Sequence, residues 1–146
     1  MAQDISGVGL QLTLVTSVTF PTGLTITAFA DDVDPLDIPD HVLAEAASGL
    51  NATLITWEKA NPLEISFAVI PGSADDINLQ VLAKANLIGV NKITAGDICD
   101  LTAAYPNGEF ITWDSGKLMS APLGSSVASS ARMKSKKYVF KFESMN

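Results

Sequence analysis

The residues best suited to chemistry are few and widely spaced in this chain. His41 is the single histidine, and it follows Asp40 in a segment rich in aspartate. A general base needs a nucleophile within reach and a group that orients it, and adjacency in sequence supplies neither. No serine lies in a Gly-x-Ser-x-Gly pattern, which marks a nucleophile elbow. We therefore interpret His41 as a surface or capping residue, and a small hydrolase is the least favoured hypothesis.

Two pairs of neighbouring carboxylates, Asp31–Asp32 and Asp75–Asp76, could in principle act as acid and base. Catalytic acids need apolar surroundings that raise the pKa, whereas these pairs fall at a strand exit and at a helix start, where solvated or capping carboxylates are common. The aspartates between residues 31 and 37 do not match the spacing, bend glycine and closing glutamate of an EF-hand. The sequence thus predicts no metal, no cofactor and no enzyme.

Cys99 and the two tryptophans have ordinary structural interpretations. Cys99 lies near Asp97 and Asp100, whose negative charge disfavours a thiolate, so we expect a small core residue. A single cysteine also excludes an intramolecular disulfide and makes a reducing compartment the default. Trp57 and Trp113 could stack on sugar rings, although each ends an alternating strand and fits a core or an interface better. A carbohydrate- or peptide-binding β-sandwich module is the alternative function.

Length and composition predict one domain over residues 1–146. The apolar content of 47% argues against disorder. Met1 to Asp4 lacks the basic and apolar regions of a signal peptide. Residues 5–30 are uncharged, but polar and apolar residues alternate as in strands, so we expect no membrane insertion.

Charge is unevenly distributed along the chain. The formal net charge is −7, no basic residue precedes Lys59, and five of the nine basic residues lie between Arg132 and Lys141. An acidic chain is poorly suited to gripping phosphates. The acidic half and the basic end could instead pair head to tail between copies, and the alternative is ordinary solvated charge.

Alternating apolar residues predict antiparallel strands joined by tight turns. Residues 10–20 and 24–28 form one hairpin, and residues 53–57 and 63–70 form a second one through Lys59–Pro62. The Asn107-Gly108 pair predicts the tightest turn, between strands at 91–104 and 109–113, and a further turn at 114–116 precedes a short strand at 117–120. Residues 134–143 form the last strand, with Tyr138, Phe140 and Phe142 facing inward.

One helix is predicted over about residues 74–88. Ser73 is placed as its N-cap, Asp76 lies in the first turn and Gly89 is placed as the C-cap. The residues expected to face the sheet recur at helical spacing, and they are Ile77, Val81, Leu82, Ala85 and Ile88.

An acidic irregular loop is predicted at about residues 31–50, where two prolines and five aspartates interrupt the strand pattern. A short helix could run from His41 to Ser48. Apolar side chains in such a loop are best explained if another surface covers them. We therefore assign Leu36, Ile38 and Leu43 as candidate subunit-interface residues.

The element inventory predicts a mainly β (α+β) fold. About seven or eight strands and one helix suit an antiparallel β-sandwich or a partly closed β-barrel with one flanking α-helix.

The order of these elements resembles the tail tube proteins of contractile-tailed bacteriophages. The matching stretches are NATLITWEKANPLEISFAVIPGSADDINLQVLAKAN and LTAAYPNGEFITWDSGKLMSAPLGSSVASSARMKSKKYVFKFES. They cover most of the chain, and the DPLDIPDH segment departs from the family pattern by its length. The resemblance implies a virion protein, assembled in the host cytoplasm, that forms hexameric rings. The rings would stack into the inner tube of the tail and conduct DNA without reading its sequence.

The same resemblance implies the partners of the chain. They would be further copies of itself, the tail sheath protein, and the baseplate and tail terminator proteins. Two properties of the sequence fit this expectation. The predicted hairpins have exposed strand edges, which closure of a ring between subunits would pair. The acidic net charge suits a lumen that repels passing DNA.

Overall fold

Strands dominate the computed structural model, which describes residues 5–146. Met1 to Asp4, where we expect no signal peptide, lie outside the described residues. Nine strands and one helix occur in the described part of the chain. In chain order they are β1 Gln11–Thr16, β2 Leu24–Ile26, β3 Leu36–Asp37, β4 Ala44–Ser48, β5 Leu54–Glu58, β6 Leu63–Val69, α1 Ala74–Ala85, β7 Cys99–Ala104, β8 Phe110–Ser120 and β9 Lys136–Met145.

A seven-stranded antiparallel sheet forms the body of the protein, in the order β2-β1-β7-β8-β9-β6-β3. The chain beyond β2 crosses to the opposite side of the sheet. There the Ala30 N–H donates to the Ala68 carbonyl at 3.0 Å, and the Ile70 N–H donates to the Ala28 carbonyl at 3.0 Å. These bonds bring the two edges together, so the sheet curls into a half-barrel. The prediction of a partly closed barrel with one helix is confirmed.

Aromatic side chains of β6, β8 and β9 fill the concave side of the sheet. Phe67 and Phe140 stack with ring centroids 5.5 Å apart, and Phe140 stacks on Phe142 at 6.0 Å. Trp113 packs against Phe142 at 6.4 Å. All four are buried, which confirms the inward face predicted for the last strand.

Gly116 permits the close approach of β8 to β9. A Cβ at this position would overlap the Phe142 ring and lie 2.5 Å from the Lys141 carbonyl oxygen. The preceding residue, Ser115, has a positive φ of 56°. The predicted turn at residues 114–116 is therefore wrong, because these residues form an irregular point inside one continuous strand, Phe110–Ser120.

The helix begins where the sequence predicts and turns a different face to the core. The Ser73 side chain accepts from the Asp76 N–H, and the helix ends at Ala85 with Asn86 as its cap, short of Gly89. The predicted apolar face is wrong at Ile77 and Val81, which are 60% and 50% exposed. The buried helical residues are Asp76, Leu79, Leu82 and Ala83.

A buried ion pair accounts for this rotation of the helix. Asp76 accepts from Lys136 Nζ at 3.0 Å and from the Tyr138 hydroxyl at 3.2 Å. Lys136 and Asp76 are both almost completely buried. A prediction from hydrophobicity places charged residues on the exposed face of a helix. It therefore chooses the wrong buried face here, where the buried face includes a carboxylate paired with a lysine.

The second predicted hairpin and the predicted short helix are both wrong. β5 pairs with β4 in a separate two-stranded sheet, and β6 pairs with β9 and β3. Residues 41–48 therefore contain a strand, Ala44–Ser48, and Lys59–Pro62 connects two sheets. Alternation fixes the face that a strand buries, but it does not choose the partner strand.

β7 is shorter than predicted and starts at Cys99. Cys99, Leu101 and Ala103 point inward, whereas Ile98 is 46% exposed. Burial, and secondarily the charge of Asp97, raises the pKa of the Cys99 thiol to about 12. The expectation of a small core residue is confirmed. No helix among residues 5–146 is long and apolar enough to cross a membrane.

Candidate assembly interface

The two-stranded sheet β4–β5 and its tip, residues 44–58, form a projecting hairpin that we call the arm. Its strands pair in register from Ala44 opposite Glu58 to Ser48 opposite Leu54. One further bond, from the Lys59 N–H to the Leu43 carbonyl at 3.0 Å, extends the ladder at the base. Among residues 5–146, neither strand of the arm pairs with any other strand. An isolated two-stranded hairpin is marginally stable in water.

Both faces of the arm carry apolar side chains that face solvent. Ile55 and Trp57 lie on one face, where they are 52% and 47% exposed, and Leu43 continues that face at the base with 74% exposed. Leu54 lies on the other face and is 69% exposed. An ion pair joins the arm to its base, Lys59 Nζ to Glu45 Oε1 at 2.8 Å, but it is half-exposed and contributes little. The arm thus has strand geometry without a core.

The tip of the arm is ordered by backbone bonds and presents a leucine. The Gly49 N–H donates to the Thr53 carbonyl at 2.7 Å, and the Ala52 N–H donates to the Gly49 carbonyl at 3.0 Å. Ala52 has a positive φ of 61°, a strained conformation for a residue with a Cβ. Leu50 is fully exposed within this turn.

An apolar groove of about 850 Å³ lies on the body, where the segment before β1 meets the segment around β3. Its apolar lining residues are Val8, Leu10, Phe29, Pro35, Leu36, Ile38 and Tyr105. Burial first, and then the charge of Glu109, raises the pKa of Tyr105. The groove therefore presents a neutral, largely apolar surface of a size that can receive a few side chains.

The predicted interface residues fall into two places. Leu36 is half-buried and packs against the core of its own chain, and it lines the groove together with Ile38, which is 45% exposed. Leu43 lies at the base of the arm. Sequence reasoning missed Leu50 and Leu54, because an apolar residue in a strand pattern is expected to be buried. The available signal was the segment Ala44–Ser48, which contains only alanine, glutamate and serine and offers β5 no bulky apolar partner.

The basic end of the chain is partly neutralised within the same copy. Arg132 contacts Asp31 through two nitrogens, with Nη1 to Oδ2 at 3.1 Å. The hydrogen bond from Arg132 holds the pKa of Asp31 below its ordinary value. Ser135 donates to Asp32 at 2.5 Å. These contacts fasten the acidic loop to the segment before β9, so the first carboxylate pair is structural.

The second carboxylate pair fastens the helix to the sheet. Asp75 accepts from the N–H groups of Thr27 and Ala28, each at 2.9 Å, and Asp76 forms the buried pair with Lys136. Residues 5–146 contain no group of three or more histidine, cysteine or acidic residues arranged to hold a metal. His41 is half-buried near Asp40 and Lys59 in an open depression.

Another buried carboxylate, Asp97, joins three segments of the body. It accepts from the N–H groups of Val18 and Thr19 at 2.9 Å and from Asn86 Nδ2 at 2.9 Å. Burial raises the pKa of Asp97, but the hydrogen bonds from Thr19, Asn86 and Val18 outweigh burial and hold it below the ordinary value. This bonding fixes the end of α1 against the turn after β1.

The chain matches a known sequence family and shares its fold with solved structures. The sequence family described as tail fiber protein gp32 matches residues 3–146. No curated protein matches the sequence at a significant level.

Two solved structures share the fold at low sequence identity. One is the cryo-EM structure of the PVC sheath/tube terminator of an extracellular contractile injection system in its extended state. It is 12% identical with a TM-score of 0.58, and the match covers 100% of this chain and 98% of that chain. The other is the cryo-EM structure of the anti-feeding prophage baseplate, 6-fold symmetrised. It is 10% identical with a TM-score of 0.57, and the match covers 100% of this chain and 96% of that chain.

Proposed function

The chain belongs to the tail fiber protein gp32 family, and from this premise we propose that it is the repeating subunit of a tail tube. The family makes it a structural protein of a phage-type tail. In the proposed assembly, copies close into hexameric rings, the rings stack inside a contractile sheath, and DNA passes along the central channel. The observation that carries the proposal is the arm, a strand pair that is exposed on both faces and, within residues 5–146, unpaired at both edges.

The energetics of the arm favour a bound state. Covering a large aliphatic or aromatic side chain contributes about 1.5–3 kcal/mol, and the arm exposes several such residues. Unpaired strand edges are an aggregation hazard in a protein that works as a monomer. A closed ring gives each edge a partner from the next copy and leaves none free.

The groove is the surface of the neighbouring copy that we assign to the arm. The groove is lined mainly by apolar residues, as the exposed faces of the arm are. It lies on the body, and no residue of the arm lines it. A contact between two different surfaces of identical copies is heterologous, and heterologous contacts generate rings when the rotation closes. In this arrangement Leu36 and Ile38 receive the arm, and Leu43 lies at the base of the arm that is received.

The remaining partners follow from the place of a tube in the tail. The proposed partners are the sheath protein outside the tube, and baseplate and terminator proteins at its two ends. The net charge of −7 supports a channel that repels DNA and lets it slide. The proposed location is the tail of the virion, after assembly in the host cytoplasm.

Disulfide trapping tests the proposal directly. The variant Leu50→Cys/Val8→Cys places one thiol at the tip of the arm and one on the groove, where Val8 is 85% exposed. The native Cys99 is buried with a pKa of about 12, so it adds no background. We expect oxidation to give ladders of linked copies, and electron micrographs to show rings and tubes.

The matched control is Leu50→Cys/Ile93→Cys, because Ile93 is 96% exposed and lies outside the groove. It should remain unlinked under the same oxidation. A wild-type chain that sediments as a compact monomer at every concentration, with no rings or tubes in micrographs, would overturn the proposed function.

One observation keeps a second function open. Trp57 is 47% exposed on the arm and could stack on a sugar ring or a peptide, whereas Trp113 is 1% exposed and cannot. A carbohydrate- or peptide-binding module would show a saturable change of tryptophan fluorescence with a glycan or peptide panel. That change should be lost in Trp57→Ala, and its absence removes this alternative.

A further inference from the structure

Three lysines lie together on the outer face of β8 and β9, and we call them the lysine ladder. Lys117 of β8 stands directly opposite Lys141 of β9 in the register. Lys137 lies on the same side of β9 as Lys141, with Val139 between them. All three are exposed, and none forms an ion pair with any residue of the described range 5–146.

The pairing of Lys117 with Lys141 is unfavourable for the isolated subunit. Side chains directly opposite each other on neighbouring strands have Cβ atoms about 4.5–5.5 Å apart, and like charges at such positions destabilise the pair. Glu64 of the other neighbouring strand, β6, is opposite Lys141 and offsets part of this repulsion, although the two form no ion pair. A partner with negative charge would convert this repulsion into attraction.

The same chain carries acidic residues that have no basic partner. Asp31 forms an ion pair with Arg132, and Glu45 forms one with Lys59. Asp34 and Asp40 flank the edge strand β3, are exposed, and form no ion pair within residues 5–146.

Within residues 5–146 of one copy these two groups form no ion pair with each other. β6 lies between β3 and β9 in the sheet, and two strand spacings amount to about 10 Å. The acidic edge and the lysine ladder are therefore separate surfaces of opposite charge within one copy, and contact between two copies can bring them together.

We infer that the acidic edge of one copy, around Asp34 and Asp40, docks on the lysine ladder of a second copy. This inference rests on the proposed function and adds to it a charged contact, distinct from the contact between arm and groove. The partner is a second copy of this chain, because the unpaired acidic residues and the unpaired lysines belong to one sequence. Phosphates of DNA are the competing occupant, and the experiment below separates the two.

Charge reversal and charge exchange test the inference. Lys117→Glu/Lys141→Glu should raise the protein concentration needed for assembly by at least about tenfold, and Asp34→Lys/Asp40→Lys should do the same. The variant with all four substitutions exchanges the two surfaces and should assemble close to the wild-type concentration. The control is Lys84→Glu/Lys92→Glu, which reverses two exposed lysines elsewhere and should leave assembly unchanged. Circular dichroism confirms that each variant is folded.

The outcomes separate the two proposals. Wild-type assembly with no effect of either reversal overturns the inference and leaves the proposed function standing, and so does failure of the exchanged variant to assemble. A ladder reversal that abolishes binding of a short DNA duplex while assembly is unchanged assigns the ladder to phosphate and also overturns the inference. Failure of the wild type to assemble at all overturns the proposed function itself.

Discussion

The body and the arm are built from similar alternating sequences and reach opposite outcomes. In the body, β9 has a partner on each side, β6 and β8, and its inward aromatic residues are completely buried. In the arm, β5 pairs with one strand of the described chain, β4, and all of its residues are exposed. The difference shows that alternation specifies a strand, whereas a strand becomes part of a core only when a partner supplies matching bulk.

The largest contrast should appear when one large apolar side chain is truncated in each region. Phe140→Ala should lower the free energy of unfolding by about 3–5 kcal/mol, since it leaves a cavity among stacked rings. Ile55→Ala on the arm should change it by less than about 0.5 kcal/mol. Urea unfolding of the subunit under non-assembling conditions measures both. A change below about 1 kcal/mol for Phe140→Ala would mean that this ring is not a core contact.

Breaking the buried ion pair of the body should lower the free energy of unfolding slightly less than Phe140→Ala does, and far more than breaking the exposed pair at the arm. Lys136→Met leaves Asp76 charged and buried without its cation, and we expect a loss of about 3 kcal/mol. The double variant Asp76→Asn/Lys136→Met should recover part of that loss. Lys59→Met, which breaks the exposed pair with Glu45, should cost less than about 1 kcal/mol. Similar losses for Lys136→Met and Lys59→Met would contradict the contrast between the regions.

Acid should weaken the body through Asp97. Its pKa is lower in the folded chain than the ordinary value of 3.8, so its contribution is complete above that value and is lost as the pH falls toward the folded pKa. We expect Asp97→Asn to lose about 1–3 kcal/mol at neutral pH. Its unfolding free energy should also vary less than that of the wild type below about pH 4. Parallel pH curves for the two proteins would rule out this role.

The smallest effect on folding and a clear effect on assembly are expected at the groove. Ile38→Asp should change the free energy of unfolding by less than about 0.5 kcal/mol, because the side chain is already half-exposed. It should raise the concentration needed for assembly at least about tenfold, equivalent to about 1.4 kcal/mol. Ile93→Asp is the matched control, and sedimentation measures both. Unchanged assembly of Ile38→Asp would remove the groove from the interface.

Local signals in the sequence predicted the elements whose partners are close in the chain. The β1–β2 hairpin, the turn at Asn107-Gly108 and the Ser73 cap each depend on a few neighbouring residues. The inward aromatic residues of β9 were predictable because their alternation is strong. The general fold class followed from this inventory.

Long-range choices could not be predicted from the pattern. β6 pairs with β9, about seventy residues away in sequence, in preference to the nearby β5. Asp76 is buried because Lys136 lies opposite it, and no window around the helix contains that lysine. The sequence indicated that Leu36, Ile38 and Leu43 are apolar residues of one irregular segment. It did not indicate that the first two line a groove whereas Leu43 lies at the base of the arm.

The position of β9 has a consequence for the order in which the subunit can fold. β9 is synthesised after the other described strands, yet it lies between β8 and β6. A nascent chain therefore contains residues 44–58 well before its own body can be completed. Domains fold as units during synthesis at about 5–20 residues per second, so insertion of β9 between β6 and β8 completes the sheet in a single late step.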